Sequence, residues 1–475
     1  MTTFVNAVKN QDARTTNGML ARKSTASACV DLFFKAGASR GKDITKDFVA
    51  AYVENKEYAL RIAQWLRDAR GGAGERELFR QILKYLDKHD PDAAKALLAK
   101  VPEIGRWDDI FVVETTKAFA YTMLGDALRE KNGLAAKWTP RQGSTAVEIR
   151  KFFGMSPKFY RKSLVEMTKV VETQLCSKEW DSINFSHVPS VAAARYKKAF
   201  FRNTPEYAKY VAELIKDPKD RTVQVKINAG AVFPYDVLKG VIGSYNKNYN
   251  ATELGALTAQ WDAMENFVGD ANVLPLVDVS GSMTCKAGGH GSNSATSCLD
   301  VAVSLGLYLA DKNTGKFKDT FLTFSAKPEL LNLQGNIVQK VQQMVKSDWG
   351  MNTDLVKAMK LVLDTAVKGG VPQEEMPEML LILSDMQFDQ CAKFDDSAMK
   401  MIARKYEDAG YEMPKIVFWN LHAADNVPVK YDTRGVALIS GFSPAIMTAV
   451  LGGDTEKFTP EAIMLKAIMV DRYAI

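Results

Sequence analysis

The chain has 475 residues, 47% hydrophobic and 25% charged, which excludes a disordered or fibrous polypeptide and leaves room for two to four domains. No run reaches the roughly 18 apolar residues of a membrane span, and the opening "MTTFVNAVKNQDARTTNG" has charges where a secretory signal would have an apolar core. The net charge of +6 hides two unlike halves, because residues 1–270 hold 42 Lys+Arg against 32 Asp+Glu and 271–475 hold 20 against 24.

Up to about residue 265 the pattern is helix after helix. "DFVAAYVENKEYALRIAQWLRDAR" places apolar residues at 3–4 spacing and stops at Gly71-Gly72; "ERELFRQILKYLDKHD" and "DAAKALLAKVPEIG" follow suit. "SPKFYRKSLVEMTKVVETQL" opens with Ser156 as N-cap and Pro157 in the first helical position, and "SVAAARYKKAFF" and "PEYAKYVAELIKD" continue the series. No strict period emerges, so an irregular helical array is expected. Beyond about 270, short apolar runs ("VLPLVD", "DTFLTFS", "EMLLILSD", "KIVFWNL", "GVALIS") alternate with helices expected near 295–311, 336–347, 354–367, 395–409, 443–451 and 460–471. That alternation predicts a mostly parallel, doubly wound sheet, with ligands bound beyond the carboxyl ends of its strands.

The stretch "PLVDVSGSMTC" sets Asp278, Ser280 and Ser282 at alternate positions where the first of these strands would end. On extended chain they point the same way, and one carboxylate with two hydroxyls is a hard-oxygen set suited to Mg²⁺ or another small divalent cation. Thr353 before one helix and Asp385 at another strand end are candidates to complete the shell. The five residues resemble the metal-ion-dependent adhesion site (MIDAS) of von Willebrand factor A domains. The resemblance implies Asp278, Ser280, Ser282, Thr353 and Asp385 around one ion, with a position open to a carboxylate from a protein partner. Asp354, opening the next helix, is expected to serve the helix dipole rather than the ion. The cysteines Cys29, Cys176, Cys285, Cys298 and Cys391 are scattered, which predicts free thiols in a reducing, cytoplasmic setting. His290 with Cys285 and Cys298 makes only a zinc half-site, and that segment is expected to be a polar loop.

Segment 128–202 carries 15 basic and 6 acidic residues, pointing to a polyanionic partner. "EIRKFFGMSPKFYRKSL" interleaves Arg150, Lys151, Lys158, Arg161 and Lys162 with Phe152, Phe153, Phe159 and Tyr160. "RYKKAFFRN" adds Arg195, Lys197, Lys198 and Arg202, of which Arg195, Lys198 and Arg202 would share one helical face. Cations hold phosphates, and exposed aromatic rings stack on unpaired bases. "RDARGGAGERELFR" reads either as an anion-binding nest or, more plainly, as one helix ending and the next beginning.

A basic helical array followed by a von Willebrand A-like domain resembles the Ro autoantigen (TROVE-domain) family, and more closely a Ro-related group with members in plants, fungi and bacteriophages. "RDARGGAGERELF", "GRWDDI", "LAAKW", "GMSPKFYRKSL" and "VPSVAAARYKKAF" carry the closer likeness. The resemblance implies a HEAT-like helical domain over 1–268, a von Willebrand A-like domain over 269–475, and a non-enzymatic protein that holds small structured or misfolded RNA. Two other readings follow from the same residues. The pair of helices around Gly154-Met155-Ser156 has helix-turn-helix grammar for DNA. Alternatively, the chain is an adaptor whose metal site grips an acidic partner. No nucleophile elbow, P-loop or zincin motif is present to suggest an enzyme.

Overall fold

Capping residues and apolar periodicity divide the first 270 residues into short helices, described here in a computed structural model. The described residues are 12–15, 18, 20–168, 170–217, 219–243, 248–288, 296–324, 327–347, 354–387, 398–423, 426–451 and 458–475. A small antiparallel hairpin, β1 (Asp12–Arg14) with β2 (Leu20–Arg22), precedes the helices. The helices are Ala28–Ala36, Thr45–Glu54, Lys56–Arg67, Arg76–His89, Pro91–Ile104, Lys117–Arg129, Gly133–Trp138, Gly143–Phe152, Pro157–Met167, Val171–Ser177, Ser190–Asn203, Pro205–Leu214, Pro234–Ile242 and Ala251–Asp262. The stretch read as one periodic run over 47–70 is two helices. Asn55 is extended at φ −152° and its side chain accepts from the Tyr58 amide, so it caps the second helix.

The second half alternates as its sequence predicts. β3 (Val273–Asp278), β4 (Thr320–Phe324), β5 (Leu330–Asn332), β6 (Met379–Ser384), β7 (Lys415–Asn420) and β8 (Val436–Ser440) form one sheet in the order β5-β4-β3-β6-β7-β8. All neighbours are parallel except the edge strand β5, a three-residue piece that the sequence did not announce. The chain leaves β3 for β4 on one side and returns to β6 on the other. The carboxyl ends of β3 and β6 therefore flank the point where strand order reverses, the place such sheets bind ligands.

Side-chain alternation sorts the strands onto two apolar faces. Leu276, Ile382, Phe418 and Leu438 face the cluster that holds the helices Leu355–Gly369 and Ala398–Asp408. Val277, Leu383, Trp419 and Ile439 face the other way, into a continuous core that runs through the helical half to Trp65, Phe79 and Leu98. The Ala28–Ala36 helix lies against β8, where Ser440 Oγ donates to the Phe33 carbonyl at 2.7 Å and the Gly37 amide donates to Ser440 Oγ at 3.0 Å. A Cβ at Gly37 would sit 2.7 Å from the Ser440 carbonyl oxygen, so that approach needs glycine although φ is an ordinary −59°. At the other end, Arg472 and the Tyr473 hydroxyl both bond Asp68, and Gln64 donates to the Tyr473 carbonyl at 3.0 Å. The two halves of the sequence share one core.

Candidate metal centre and candidate nucleic-acid interface

The hydrophobic strand β3 buries Asp278 completely at its end, and the chain then turns out through Ser280 to the exposed Ser282. Asp278 Oδ1 accepts the Ser280 amide at 2.9 Å, and Ser280 Oγ lies 3.0 Å from Ser282 Oγ. Register pairs Val277 with Leu383, which puts Ser384 beside Asp278; its hydroxyl donates to Asp278 Oδ2 at 2.7 Å. Asp385 follows, 2% exposed, accepting the Gln387 amide at 3.1 Å. Burial first, and the charge of Asp385 second, push the Asp278 carboxyl well above the usual carboxylate range. Among the described residues no cationic side chain pairs with either aspartate.

Two buried carboxylates without a counter-cation, beside two convergent hydroxyls, are the donor chemistry of a hard divalent ion. The residues expected around it divide as follows. Asp278, Ser280, Ser282 and Asp385 stand on the ends of β3 and β6, and Thr353 lies outside the described residues. Asp354 caps the helix Leu355–Gly369, accepting the Lys357 amide at 3.0 Å. Ser384 was missed by sequence reasoning, although its place next to Asp385 in "LILSD" was a usable signal. No group of three His, Cys, Asp or Glu that could hold a metal ion occurs among the described residues.

The basic stretches lie on three helices. Gly143–Phe152 carries Arg150 and Lys151, Pro157–Met167 carries Lys158, Arg161 and Lys162, and Ser190–Asn203 carries Arg195, Lys197, Lys198 and Arg202. Ser156 caps the second through the Phe159 amide at 3.3 Å, with Pro157 first in the helix. Lys151, Lys158, Arg161, Lys162, Arg195, Lys198 and Arg202 are exposed, while Arg150 and Lys197 are half-buried. Arg150 bends back to the Met155 carbonyl. Among the described residues, none of the seven exposed cations is ion-paired, unlike nearby Lys117, Lys137 and Arg129, which meet Glu148, Glu172 and Asp126. Phe152 and Phe159 are 48% and 58% exposed, whereas Tyr160 is buried and donates to the Pro140 carbonyl at 2.6 Å. Phe152, Phe153, Met155 and Phe159 line a groove of about 770 Å³ bordered by Arg129 and Lys131.

The glycine-rich turn follows the plainer of its two readings. Three of its amides bond inward, Gly72 to Asp68 O, Ala73 to Trp65 O and Glu75 to Leu66 O, and tie the end of one helix to the start of the next. Two of its arginines, Arg67 and Arg80, converge on "GRWDDI", while Arg76 pairs with Glu77. Fully buried Asp109 accepts from Arg67 Nε at 2.7 Å, Arg80 Nε at 2.8 Å and the Arg106 amide at 3.0 Å. Asp108 pairs with Arg80 and Arg106, and the Arg106 guanidinium lies 3.7 Å over the Trp138 ring of "LAAKW". Val191 and Arg195, from "VPSVAAARYKKAF", border the same cavity of about 800 Å³ as Asp68, Glu75 and Arg106. Four of the five motifs thus meet around one buried ion-pair hub.

No helix among the described residues is long and apolar enough to cross a membrane. Residues 272–469 match a family described as a domain of unknown function, DUF7788. The uncharacterized protein L728 of Acanthamoeba polyphaga mimivirus is 29% identical over 520 aligned positions, covering 96% of this chain and 86% of that protein. The crystal structure of the Deinococcus radiodurans Ro (RSR) protein aligns over 94% of this chain and all of that one, at 15% identity and a TM-score of 0.38. Residues 15–121 and 141–272, together half of the chain, match the family described as a domain of unknown function, DUF2828, and the chain belongs to that family.

Proposed function

We propose that this protein is a non-enzymatic RNA-binding protein. It holds small structured or single-stranded RNA on the helices Gly143–Phe152, Pro157–Met167 and Ser190–Asn203, and carries a Mg²⁺-type site at the ends of β3 and β6 for docking a protein partner. One observation carries the reading: exposed Lys151, Lys158, Arg161 and Lys162, without acidic partners among the described residues, stand beside two exposed phenylalanines on a groove. Solvated lysines alone would need no aromatic neighbours. Phenylalanines kept in water beside unpaired cations suit bases that stack while their phosphates are neutralised. The Ro-like order of parts agrees with this ligand class. In the second half, Asp278, Ser280, Ser282 and Asp385, with Thr353 by resemblance to von Willebrand A domains, would hold the ion. The ion would supply positive charge and an open position for a partner's carboxylate.

The same exposed face of Pro157–Met167 also suits the DNA reading, since Lys158, Phe159, Arg161 and Lys162 stand at the start of the second helix of a pair joined by a four-residue turn. One titration separates the two. Single-stranded RNA, a structured RNA and duplex DNA are each bound to the wild-type chain and to the Lys158→Gln/Arg161→Gln/Lys162→Gln variant, followed by fluorescence anisotropy. RNA binding tighter than duplex binding, and weakened in the variant, is expected. Preference for duplex DNA would replace the RNA reading with the helix-turn-helix one, and equal, variant-insensitive binding would remove both.

A further inference from the structure

Beside the carboxylate-hydroxyl turn, the fold assembles three groups that lie far apart in the sequence. Cys285 and Cys298 sit across a short antiparallel contact, in which the Cys298 amide donates to the Cys285 carbonyl and the Ala287 amide to the Thr296 carbonyl, both at 2.9 Å. Their sulfurs are 3.5 Å apart. Cys298 is fully buried, with Leu421 O at 3.3 Å and Lys286 O at 3.8 Å as further hydrogen-bond partners of its thiol. Cys285 is only half-buried, and the imidazole of His422, from the loop after β7, hydrogen-bonds its sulfur. Cys298 is also the first residue of the 15-residue helix Cys298–Lys312, whose amino end favours negative charge nearby.

We propose that Cys285 and Cys298 form a peroxide-reactive dithiol, with Cys285 as the attacking sulfur, Cys298 as the resolving one and His422 as the positioning residue. The Cys285 thiolate attacks one oxygen of hydrogen peroxide, the O–O bond breaks, and the departing hydroxide takes a proton to become water. The Cys285 sulfenic acid then meets Cys298, whose sulfur forms the S–S bond as the S–OH bond breaks. The Cys298 proton leaves with that hydroxide as a second water. Two thiols and one peroxide become one disulfide and two waters, so peroxide is the only oxidant required.

The electrostatics agree with this division of labour. The hydrogen bond shared with Cys298 and the contact with His422 outweigh burial and draw the Cys285 thiol well below its ordinary range, with Asp385 opposing. The Cys285 hydrogen bond and burial push Cys298 upward. The Cys285 contact likewise raises His422 against burial, with Asp385 favouring its charge and Lys42 opposing it. Elsewhere in the chain, Cys29 is buried and pushed up to about 12 by desolvation, and Cys176 is exposed without a thiol neighbour among the described residues, which makes Cys176 an internal reference.

The experiment uses the reduced full-length chain. Alkylation by iodoacetamide, read by peptide mass across pH 5 to 9, is expected to modify Cys285 at pH 6 at least tenfold faster than Cys176. Stoichiometric hydrogen peroxide should then remove two mass units and yield a Cys285–Cys298 cross-linked peptide. Cys298→Ser should instead accumulate an added oxygen on Cys285, and His422→Asn should slow the first step. Equal alkylation of Cys285 and Cys176, or peroxide treatment that leaves the pair reduced, would overturn the proposal. The alkylation arm needs no variant, so a poorly folding substitution does not protect the idea.

Discussion

Asp109→Ala is the sharpest test of what the buried ion-pair hub does. Asp109 is fully buried and accepts hydrogen bonds from Arg67, Arg80 and the Arg106 amide. On its removal Arg80 keeps Asp108 at 2.9 Å and Glu77 at 3.2 Å, so its charge stays compensated. Arg67 does not; its side chain is 7% exposed, and Asp109 is its ion-pair partner among the described residues. Breaking a buried pair on one side costs about 3–5 kcal/mol, because an uncompensated charge stays buried. That is a large share of the roughly 5–15 kcal/mol by which folded proteins are stable. Urea unfolding followed by circular dichroism and by tryptophan fluorescence should show the unfolding free energy falling by that amount in both signals. The Arg67→Met/Asp109→Ala double variant removes the orphaned charge as well, and should recover about 1–3 kcal/mol of the loss. A single variant within 1 kcal/mol of wild type, or a double variant no better than additive, would refute the claim that this hub holds the helical half together.

Four further outcomes are expected. The Lys158→Gln/Arg161→Gln/Lys162→Gln chain should show a shallower dependence of RNA affinity on salt, by about 2 in the log–log slope if each cation neutralises one phosphate of a single strand, measured by anisotropy from 50 to 300 mM salt. Phe152→Ala and Phe159→Ala should each weaken RNA binding by about 1–3 kcal/mol while leaving the salt slope unchanged, which separates stacking from charge. Gly37→Ala should destabilise the chain by about 1–3 kcal/mol in thermal unfolding, since the added methyl meets the Ser440 carbonyl at 2.7 Å. Acid unfolding should follow Asp87 and Glu54. Burial raises both carboxyls, but hydrogen bonds outweigh it and hold them below their ordinary values: at Asp87 from the Thr116 hydroxyl and the Glu114, Thr115 and Thr116 amides, at Glu54 from the Ala28 amide, Ser27 hydroxyl and Cys29 amide. A depressed folded pKa gives stability that is complete above the unfolded value, near 4, and is lost as pH falls through the folded one. Asp87→Asn should therefore flatten the acid limb and lower stability at pH 7.

The alternating half was the more legible one because each strand there is a short apolar run closed by a polar residue. "VLPLVD" and "LILSD" name both their strand and the carboxylate at or just after its end. What they could not state is which strand ends are neighbours, since β3 pairs with β6 across a hundred residues and that pairing alone brings Ser384 to Asp278. β5 stayed hidden for a physical reason: it is three residues long, Leu330 and Asn332 are exposed and Leu331 is half-buried, so neither an apolar run nor an alternation marks it out. In the helical half, periodicity revealed the helices but not the break at Asn55, where a local side-chain cap wins over the continuing apolar pattern. Arg67 and Arg80 of the glycine-rich stretch were visible, but their partners were not, because Asp109 lies 42 residues from the one and 29 from the other and meets them only through packing. His422 is the same case at longer range.

The shared core also constrains how a partner reaches the carboxylate-hydroxyl turn. Residues 37–42 leave the Ala28–Ala36 helix and run against the loops at the carboxyl end of the sheet. A Cβ on Gly288 would stand 2.2 Å from the Arg40 carbonyl, Lys42 donates to the Ala423 carbonyl at 3.3 Å, and the Arg40 guanidinium lies 4.6 Å over the Phe442 ring while pairing with Glu75. The helical half therefore presses on the segment that follows Cys285 and on the loops after β7 and β8. Asp278 and Asp385 are sealed beneath, and Ser282 is the one member of the described set that faces solvent. In the proposed docking, a partner's carboxylate would come in over Ser282, along a surface that the helical half helps to shape. Stability of the Arg67–Asp109 hub then bears on the second half as well: loosening the helices that cover one sheet face removes apolar support from Val277 and Leu383, the residues just before Asp278 and Ser384. The residues of the Arg67–Asp109 hub and those that end β3 and β6 are joined through one core.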